Sequence, residues 1–165
     1  MTSEQFISHV EATQKPLRRF LVALCCGDTQ LADDVAQEAF IKAYLSCDTL
    51  SDSRKFSAWI FRIAYNSFLD EKRSKRITVN YEEASALKSA DTADGAFRYQ
   101  ALYAALNNLP PKERTSVLLY YLQGYSIKEI AEIQSVSADA VKQHLSRGRN
   151  HLRDLLNSDT RDYGR

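Results

Sequence analysis

The sequence contains few of the residues that build covalent frameworks, metal sites or membrane spans. Its 165 residues include three cysteines. Cys25, Cys26 and Cys47 are odd in number and form no CxxC pair, so we expect reduced, structural thiols and neither a disulfide framework nor a zinc site. The first residues do not resemble a signal peptide, and no apolar run approaches the ~20 residues that cross a bilayer. We therefore expect a soluble, cytoplasmic protein without a metal or other cofactor.

The chain also has little net charge and little histidine. The formal net charge is +1 at pH 7, so a basic surface depends on where charges fall along the chain and not on their total. His9 lies far from His144 and His151, which share one predicted helix. No Ser/His/Asp, metal-binding or glycine-rich phosphate motif accompanies them. We therefore do not expect an enzyme.

The dominant pattern is helical. Apolar residues recur at helical spacing almost throughout, without sustained strand alternation, which predicts an all-α fold of two small helical domains. Three helices are expected at about 3–26, with a bend or break near Pro16, at about 29–46 and at about 54–76. Four shorter helices are expected at about 98–108, 111–123, 127–133 and 138–156.

The composition changes between these two sets of helices. Residues 79–97 are acidic and rich in small side chains, with Lys88 as their one basic residue and no strong period. This is typical of a flexible linker, although a short helix packed on a domain remains an alternative. We predict an N-terminal domain over 1–78, a linker over 79–97, a C-terminal domain over 98–157 and a tail over 158–165.

Residues 126–152, "SIKEIAEIQSVSADAVKQHLSRGRNHL", predict a helix-turn-helix. Ser126 and Glu129 form a capping box at the start of its first helix. In the second helix, Val141, Leu145 and Gly148 share one stripe that would meet the first helix. Ser135 stands in the turn where glycine would adopt a left-handed conformation more easily, at a cost on the order of 1 kcal/mol. The alternative is an amphipathic hairpin with a solvated basic face.

The far face and flank of the second helix carry candidate DNA-binding residues. Glutamine and arginine can hydrogen-bond base edges in a major groove, and flanking cations can neutralise phosphates. The candidates are Lys142, Gln143, Ser146, Arg147, Arg149 and Arg153.

The second predicted helix has two faces that contain apolar residues. Such a helix either lies within a core or offers its second face to a partner. Phe40 and Tyr44 alone would favour a core position. Asp33 and Gln37 on the same face favour exposure, because unpaired carboxylates are rarely buried.

The third predicted helix, in "WIFRIAYNSFLDEKRSKR", also has two faces. One groups Phe56, Ile60, Ile63, Ala64 and Ser67 toward a core. The opposite face groups Arg62, Tyr65, Asn66, Leu69, Lys72, Arg73 and Arg76. This mixture of side chains suits nucleic acid. Cations can follow the phosphates, rings can stack on bases and an amide can read a base edge. An ordinary solvated face is the alternative, since Asp70 and Glu71 interrupt the basic series.

Three segments together resemble a known family. "DDVAQEAFIKAY" (33–44), "FSAWIFRIAYNSFLDEKR" (56–73) and "LNNLPPKERTSVLLYYLQGYSIKEIAEIQSVSADAVKQHLSRGR" (106–149) resemble, in order and spacing, bacterial sigma factors of the extracytoplasmic-function group. The resemblance implies a dissociable, monomeric initiation subunit of RNA polymerase with helical regions two and four, and no small-molecule substrate. It also implies an anti-sigma factor as partner, which in many family members is membrane-anchored.

The resemblance implies roles for the faces described above. Asp33, Gln37, Phe40 and Tyr44 would dock on the clamp helices of the largest polymerase subunit. The melted minus-ten element would be engaged by Lys55, Arg62, Tyr65, Asn66, Asp70, Lys72, Arg73 and Arg76, with the loop 47–55 receiving a flipped base. The helix-turn-helix would read the duplex minus-thirty-five element.

The sequence departs from the family pattern at several positions. Gln143 and His144 follow the lysine of the recognition helix, where relatives often carry Ser-Arg. The promoter preference of a relative therefore does not transfer to this chain. Family linkers run through the RNA-exit path, where acidic residues can mimic RNA. A helix-turn-helix regulator with an N-terminal ligand-binding or dimerisation domain is the alternative function. That alternative leaves the basic and aromatic face of the third helix unexplained.

Overall fold

The computed structural model describes residues 1–78 and 93–162, with side chains described for 1–74 and 99–157. The helices of these ranges are α1 (Ser3–Leu24), α2 (Thr29–Leu45), α3 (Phe56–Thr78), α4 (Ala93–Asn107), α5 (Pro111–Val117), α6 (Ile127–Gln134) and α7 (Ala138–Asp162). Two 3₁₀ turns, Cys47–Thr49 and Ser53–Lys55, join α2 to α3, and α5 continues into a π-helical turn, Leu118–Leu122. The described ranges contain no strand, which confirms the all-α prediction. No helix in them is long and apolar enough to cross a membrane.

The helix starts follow the capping signals in the sequence. The Asp28 carboxylate accepts a hydrogen bond from the backbone N–H of Leu31 at 3.0 Å, which caps α2. Ser126 and Glu129 form the predicted capping box of α6, with bonds of 3.2 and 2.9 Å. Gly124, with φ +74°, follows the π turn in the left-handed conformation that glycine adopts without strain.

Several boundaries differ from the prediction. Helix α1 runs through Pro16 without a break, because its buried residues on both sides of the proline pack into the core. Helix α4 begins at Ala93, within the predicted linker, and α7 continues to Asp162, within the predicted tail. The rest of the predicted linker, 79–92, and residues 163–165 lie outside the described residues.

The two sets of helices, α1–α3 and α4–α7, pack against each other. Helix α3 contacts α6, and α1 contacts α4, α5 and the π turn. Buried side chains from both sets, such as Phe20, Phe61, Leu119 and Ile130, belong to one continuous cluster. The sequence predicted two tethered units and gave no sign of this shared core.

Candidate partner-binding and nucleic-acid interfaces

The outward face of α2 is an open apolar groove. Its lining residues are Gln37, Phe40, Ile41, Tyr44 and Leu45. Ile41, Tyr44 and Leu45 remain 55%, 53% and 78% exposed, respectively. At one edge of this face the Asp33 carboxylate accepts a hydrogen bond from Arg18 Nε at 2.8 Å. A contiguous exposed apolar patch with a polar rim is typical of a protein-docking surface.

The groove brings together residues that the sequence had placed on one face of α2. Gln37, Phe40 and Tyr44 line it, and Asp33 is exposed on the same helix. Leu45 was not among the candidates, although its spacing of one helical turn after Ile41 could have identified it. The face is held outward because Ala32, Val35, Ala39 and Ala43 bury the opposite side of α2.

The outward side of α3 presents a row of polar side chains. Its exposed members are Arg62, Asn66, Asp70 and Arg73. Asp70 is not free, because its Oδ2 lies 3.6 Å from Lys42 Nζ of α2. Lys42 also contacts Glu38 Oε1 at 2.7 Å, and hydrogen bonding with Glu38 raises the pKa of the Lys42 ammonium. The Lys42 ammonium therefore links Asp70, the acidic residue of the row, to α2.

Lys55 is exposed at the end of the 3₁₀ turn that leads into α3. The same turn is ordered by Asp52, which accepts bonds from the Arg54 backbone N–H at 3.0 Å and from Arg54 Nε at 3.1 Å. The hydrogen bonds from the Arg54 side chain and backbone lower the pKa of the Asp52 carboxyl. The turn thus places a cation directly before the polar row of α3.

Tyr65 and Lys72 do not lie free on this row, contrary to the predicted face. Tyr65 is 4% exposed. Burial raises the pKa of its hydroxyl, and a hydrogen bond with the Gln134 side chain of α6 opposes that rise. Lys72 Nζ lies 5.3 Å from the ring centroid of Phe68. The helical wheel failed here because α3 has a second packing partner, α6. The side chain of Arg76 lies outside the described residues.

Helices α6 and α7 form the predicted helix-turn-helix. Ser135 in the turn has φ 55° and ψ 46°, which confirms its left-handed conformation. Val141 and Leu145 of α7 are buried. A Cβ added at Gly148 would lie 2.7 Å from Val117 Cγ2, so α7 approaches α5 too closely for a side chain at this position. Val141, Leu145 and Gly148 therefore form the buried stripe of α7, as predicted.

The opposite side of α7 keeps every predicted DNA-contact residue exposed. These residues are Lys142, Gln143, Ser146, Arg147, Arg149 and Arg153. Arg149 Nη1 donates a hydrogen bond to the Tyr121 hydroxyl at 3.1 Å, within the same set of helices. An exposed helix face rich in amide and guanidinium groups fits a major groove.

The histidines of α7 have structural partners. His151 Nδ1 lies 2.8 Å from Glu113 Oε2 of α5. His144 lies 3.4 Å from Ser116 Oγ, and burial lowers the pKa of its imidazole, reinforced by the charges of Lys112 and Arg147. Across residues 1–78 and 93–162 no group of three or more His, Cys, Asp or Glu side chains could hold a metal ion.

Comparison with known proteins gives a consistent family assignment. The family described as Sigma-70 region 2 matches residues 9–77, and the family described as Sigma-70, region 4 matches residues 99–152. The sigma factor SigW of Bacillus subtilis is 37% identical over 145 residues, covering 79% of this chain and 78% of SigW. The sigma factor EcfG of Rhodopseudomonas palustris is 29% identical over 152 residues, covering 90% of this chain and 83% of EcfG.

Solved structures agree with these matches. The chain superimposes on the sigma factor RpoE of Bartonella quintana, in complex with the anti-sigma factor NepR, with a TM-score of 0.80 and 25% identity, covering 93% of this chain and 98% of RpoE. It matches CnrH, in complex with the cytosolic domain of CnrY, with a TM-score of 0.72 and 25% identity, covering 93% and 88% of the two chains. Sigma factors bind core RNA polymerase and promoter DNA, and they are initiation factors rather than catalysts. The chain belongs to the sigma-70 family and is an extracytoplasmic-function RNA polymerase sigma factor.

Proposed function

We propose that the groove on α2 is where this sigma factor docks on the clamp helices of the largest polymerase subunit. The supporting observation is the exposure of Ile41, Tyr44 and Leu45, which makes the groove the kind of apolar patch that a soluble chain covers with a partner. Asp33 and Gln37 at its edge would fix the orientation of docking through polar contacts, and Phe40 and Tyr44 would fill the partner's grooves.

The polar row of α3 is the proposed minus-ten surface. Arg62 and Asn66 are exposed one turn apart and Arg73 two turns further along the same side, so one strand of melted DNA can follow them. Lys55 continues the row before the helix. Guanidinium groups would contact phosphates and stack on bases, and the Asn66 amide would read a base edge. Asp70, Lys72, Tyr65 and Arg76 are proposed to join this contact, Tyr65 only after α6 has moved away from it.

The exposed face of α7 is the proposed reader of the minus-thirty-five duplex. Lys142, Gln143, Ser146 and Arg147 lie toward the N-terminal half of the helix, which in a helix-turn-helix enters the major groove. Arg149 and Arg153 follow toward the C-terminal half, where they would contact phosphates. Residues 1–78 would thus form the unit for polymerase and the minus-ten element, and 98–157 the unit for the minus-thirty-five element, joined through 79–97.

Three further proposals follow from the family assignment. The chain acts in the cytoplasm, because its polymerase and promoter are there. When free of polymerase it is a monomer. It has no catalytic activity of its own, a proposal supported by its membership of a family of initiation factors rather than catalysts. An anti-sigma factor restrains it, a proposal supported by the likeness to RpoE in its complex with the anti-sigma factor NepR.

Transcription from genomic DNA by core polymerase with and without this protein tests the function. We expect new transcripts only with the protein, and their start sites yield the promoter motif. Arg62→Ala combined with Asn66→Ala should abolish strand opening in permanganate footprinting while polymerase binding is retained. The matched control is Glu11→Ala with Gln14→Ala, an exposed carboxylate and amide on α1. Unchanged footprints in the α3 variant would show that the face is assigned wrongly.

The alternative of a helix-turn-helix regulator does not account for the match of residues 9–77 to Sigma-70 region 2. It also predicts a dimer on a palindromic duplex without polymerase. A native pull-down separates the two, because the sigma factor should be recovered with core polymerase in a one-to-one complex.

A further inference from the structure

A groove between α1 and α4 lies apart from the surfaces proposed above for polymerase and promoter. It is lined by Lys15, Arg18, Arg19 and Val22 of α1 and by Tyr103 of α4, and we call it the α1–α4 groove. Its volume is about 360 Å³. Pockets that bind small ligands have volumes of roughly 300–1,000 Å³, so the groove has room for a group the size of one nucleotide.

The two helices that form the groove are held together by Arg114 of α5. This residue is 3% exposed, and its guanidinium donates hydrogen bonds to the carbonyls of Leu106, Leu109 and Leu24 at 2.8, 3.1 and 2.9 Å. Leu24 is the last residue of α1, and Leu106 lies at the end of α4. Unpaired carbonyls and the negative end of the dipole make a helix C-terminus a favourable place for a cation. One buried cation therefore fixes the ends of α1 and α4 beside each other.

Two tyrosine rings lie on the α4 side. A Cβ added at Gly27 would lie 3.1 Å from Cδ2 of Tyr103, so the absence of a side chain at Gly27 lets this ring pack against the end of α1. Tyr99, one turn earlier on α4, is 47% exposed. The ring centroids of Tyr99 and Tyr103 are 6.3 Å apart. The groove is therefore bordered by one ring that is fixed in place and one that is open to solvent.

The α1 side carries exposed cations. Lys15 and Arg19 are both exposed, and they lie one turn apart, about 6 Å along the helix axis. Arg18 Nε donates to Asp33 Oδ1 at 2.8 Å, and both side chains are 54% exposed. Among the side chains of residues 1–74 and 99–157, no carboxylate forms an ion pair with Lys15 or Arg19. The groove therefore has positive charge that Asp33 offsets only in part.

Cations beside open aromatic rings are the combination that binds single-stranded nucleic acid. Lysine and arginine neutralise the phosphates of a strand, and its bases stack on the rings whatever their sequence. An acidic peptide would use the cations but gain nothing from the rings. A duplex would also use the cations, but its bases stay stacked on one another and do not reach the tyrosines.

We propose that the α1–α4 groove binds a single strand of nucleic acid, with phosphates on Lys15 and Arg19 and a base on the rings of Tyr99 and Tyr103. None of these residues belongs to the proposed promoter-binding faces of α3 and α7. The strand is therefore bound without regard to sequence and without the minus-ten or minus-thirty-five element. This binding site goes beyond the proposed function and does not depend on it.

Anisotropy of fluorescein-labelled hexauridylate with the free, full-length chain tests the charges. Lys15→Glu and Arg19→Glu should each weaken binding about tenfold, because a phosphate contact is replaced by repulsion. Lys128→Glu is the matched control, since it changes the net charge equally at an exposed position on α6, and it should weaken binding less than about twofold. Circular dichroism checks that each variant remains helical. Equal losses in the groove and control variants would overturn the proposal.

Two further measurements test the rings. Tyr99→Ala should weaken hexauridylate binding severalfold, whereas Tyr120→Ala, which removes an exposed tyrosine from the π turn, should leave it nearly unchanged. Hexauridylate that carries 4-thiouridine should crosslink on irradiation to Tyr99 or Tyr103, as identified by mass spectrometry. Crosslinks confined to α3 or α7 would overturn the proposal.

Unlabelled competitors separate a strand from other anions. Hexaglutamate and uridine monophosphate, at the same concentration of negative charge, should displace the probe much less than unlabelled hexauridylate does. Equal displacement by hexaglutamate would overturn the proposal in favour of an acidic peptide, and equal displacement by uridine monophosphate would overturn it in favour of a free nucleotide. No measurement uses polymerase or a promoter, so failure of the proposed function would be seen separately.

Discussion

The two surfaces proposed to touch DNA are presented differently by the same fold. On α7 every candidate side chain is exposed, whereas on α3 Tyr65 is buried beneath α6 and Asp70 is held by Lys42. The α7 face is positioned by packing within its own set of helices, against α4, α5 and α6. The α3 face also depends on where the other set lies. The surface proposed to read duplex DNA is thus fully exposed in this structure, and the surface proposed for melted DNA is only partly exposed.

The difference follows the chemistry of the two targets. Duplex DNA offers its base edges in a preformed groove, so a rigid helix can read it directly. Melted DNA offers base faces that must first be unstacked, and stacking requires open aromatic rings. An aromatic residue of the proposed minus-ten surface must therefore be uncovered before it can stack on a base.

The largest expected effect comes from removing the cation that holds both sets of helices. Arg114→Met should lower the free energy of unfolding by more than about 3 kcal/mol, because several buried carbonyls lose their donor and each unsatisfied group costs ~1–3 kcal/mol. Urea denaturation measures the loss. Arg114→Lys keeps the charge but reaches fewer carbonyls, so its free energy of unfolding should lie between those of the wild type and Arg114→Met. A variant within about 0.5 kcal/mol of the wild type would mean that Arg114 holds neither set.

A smaller effect should separate base reading from phosphate contact on α7. Arg147→Ala should weaken holoenzyme binding to its minus-thirty-five duplex by ~1–3 kcal/mol and relax preference at one base pair. Arg153→Ala is the matched comparison, since loss of a phosphate contact should weaken binding to all sequences about equally. Competition binding with a randomised duplex library measures both. Uniform loss in the Arg147 variant would assign that residue to phosphate.

The smallest expected effect is a pH dependence on the buried side of α7. Burial and the nearby cations lower the pKa of His144, so the folded chain takes up its proton less readily than the unfolded chain. The neutral form stabilises the fold above the unfolded pKa of about 6.5, and that stability is lost as the pH falls below it. In urea melts, His144→Gln should therefore compare more favourably with the wild type at about pH 5 than at about pH 7.5. An unchanged difference would place the cause of acid sensitivity elsewhere.

Local structure was predictable from the sequence where a few residues determine it. Asp28 and Ser126 mark helix starts by their capping chemistry, and the stripe of Val141, Leu145 and Gly148 fixes the inner face of α7. The groove on α2 was predictable for a related reason, because Asp33 and Gln37 could not be buried without partners.

The packing between the two sets of helices was not predictable from these patterns. Helical spacing alone places Tyr65 opposite the core stripe of α3, and nothing in that spacing shows that the Tyr65 hydroxyl bonds a residue as distant as Gln134. The role of Arg114 was equally unpredictable, because a cation in a helical stretch is usually solvated. Its carbonyl partners lie at the ends of α1 and α4 and in the loop after α4. Periodicity reports on one element at a time, and these contacts join elements far apart in the chain.

The close approach at Gly148 has a consequence for which DNA sequence the protein prefers. Because Val117 leaves no room for a side chain there, the contact sets the rotation of α7 about its own axis. In the proposed binding mode, that rotation decides the angle at which Gln143 and Arg147 enter a major groove. A single added methyl group at position 148 would turn or lift the helix, so we expect base preference to change while the domain still folds. The absence of a side chain at Gly148, on the buried side of α7, thus helps to set the base preference proposed for the exposed side.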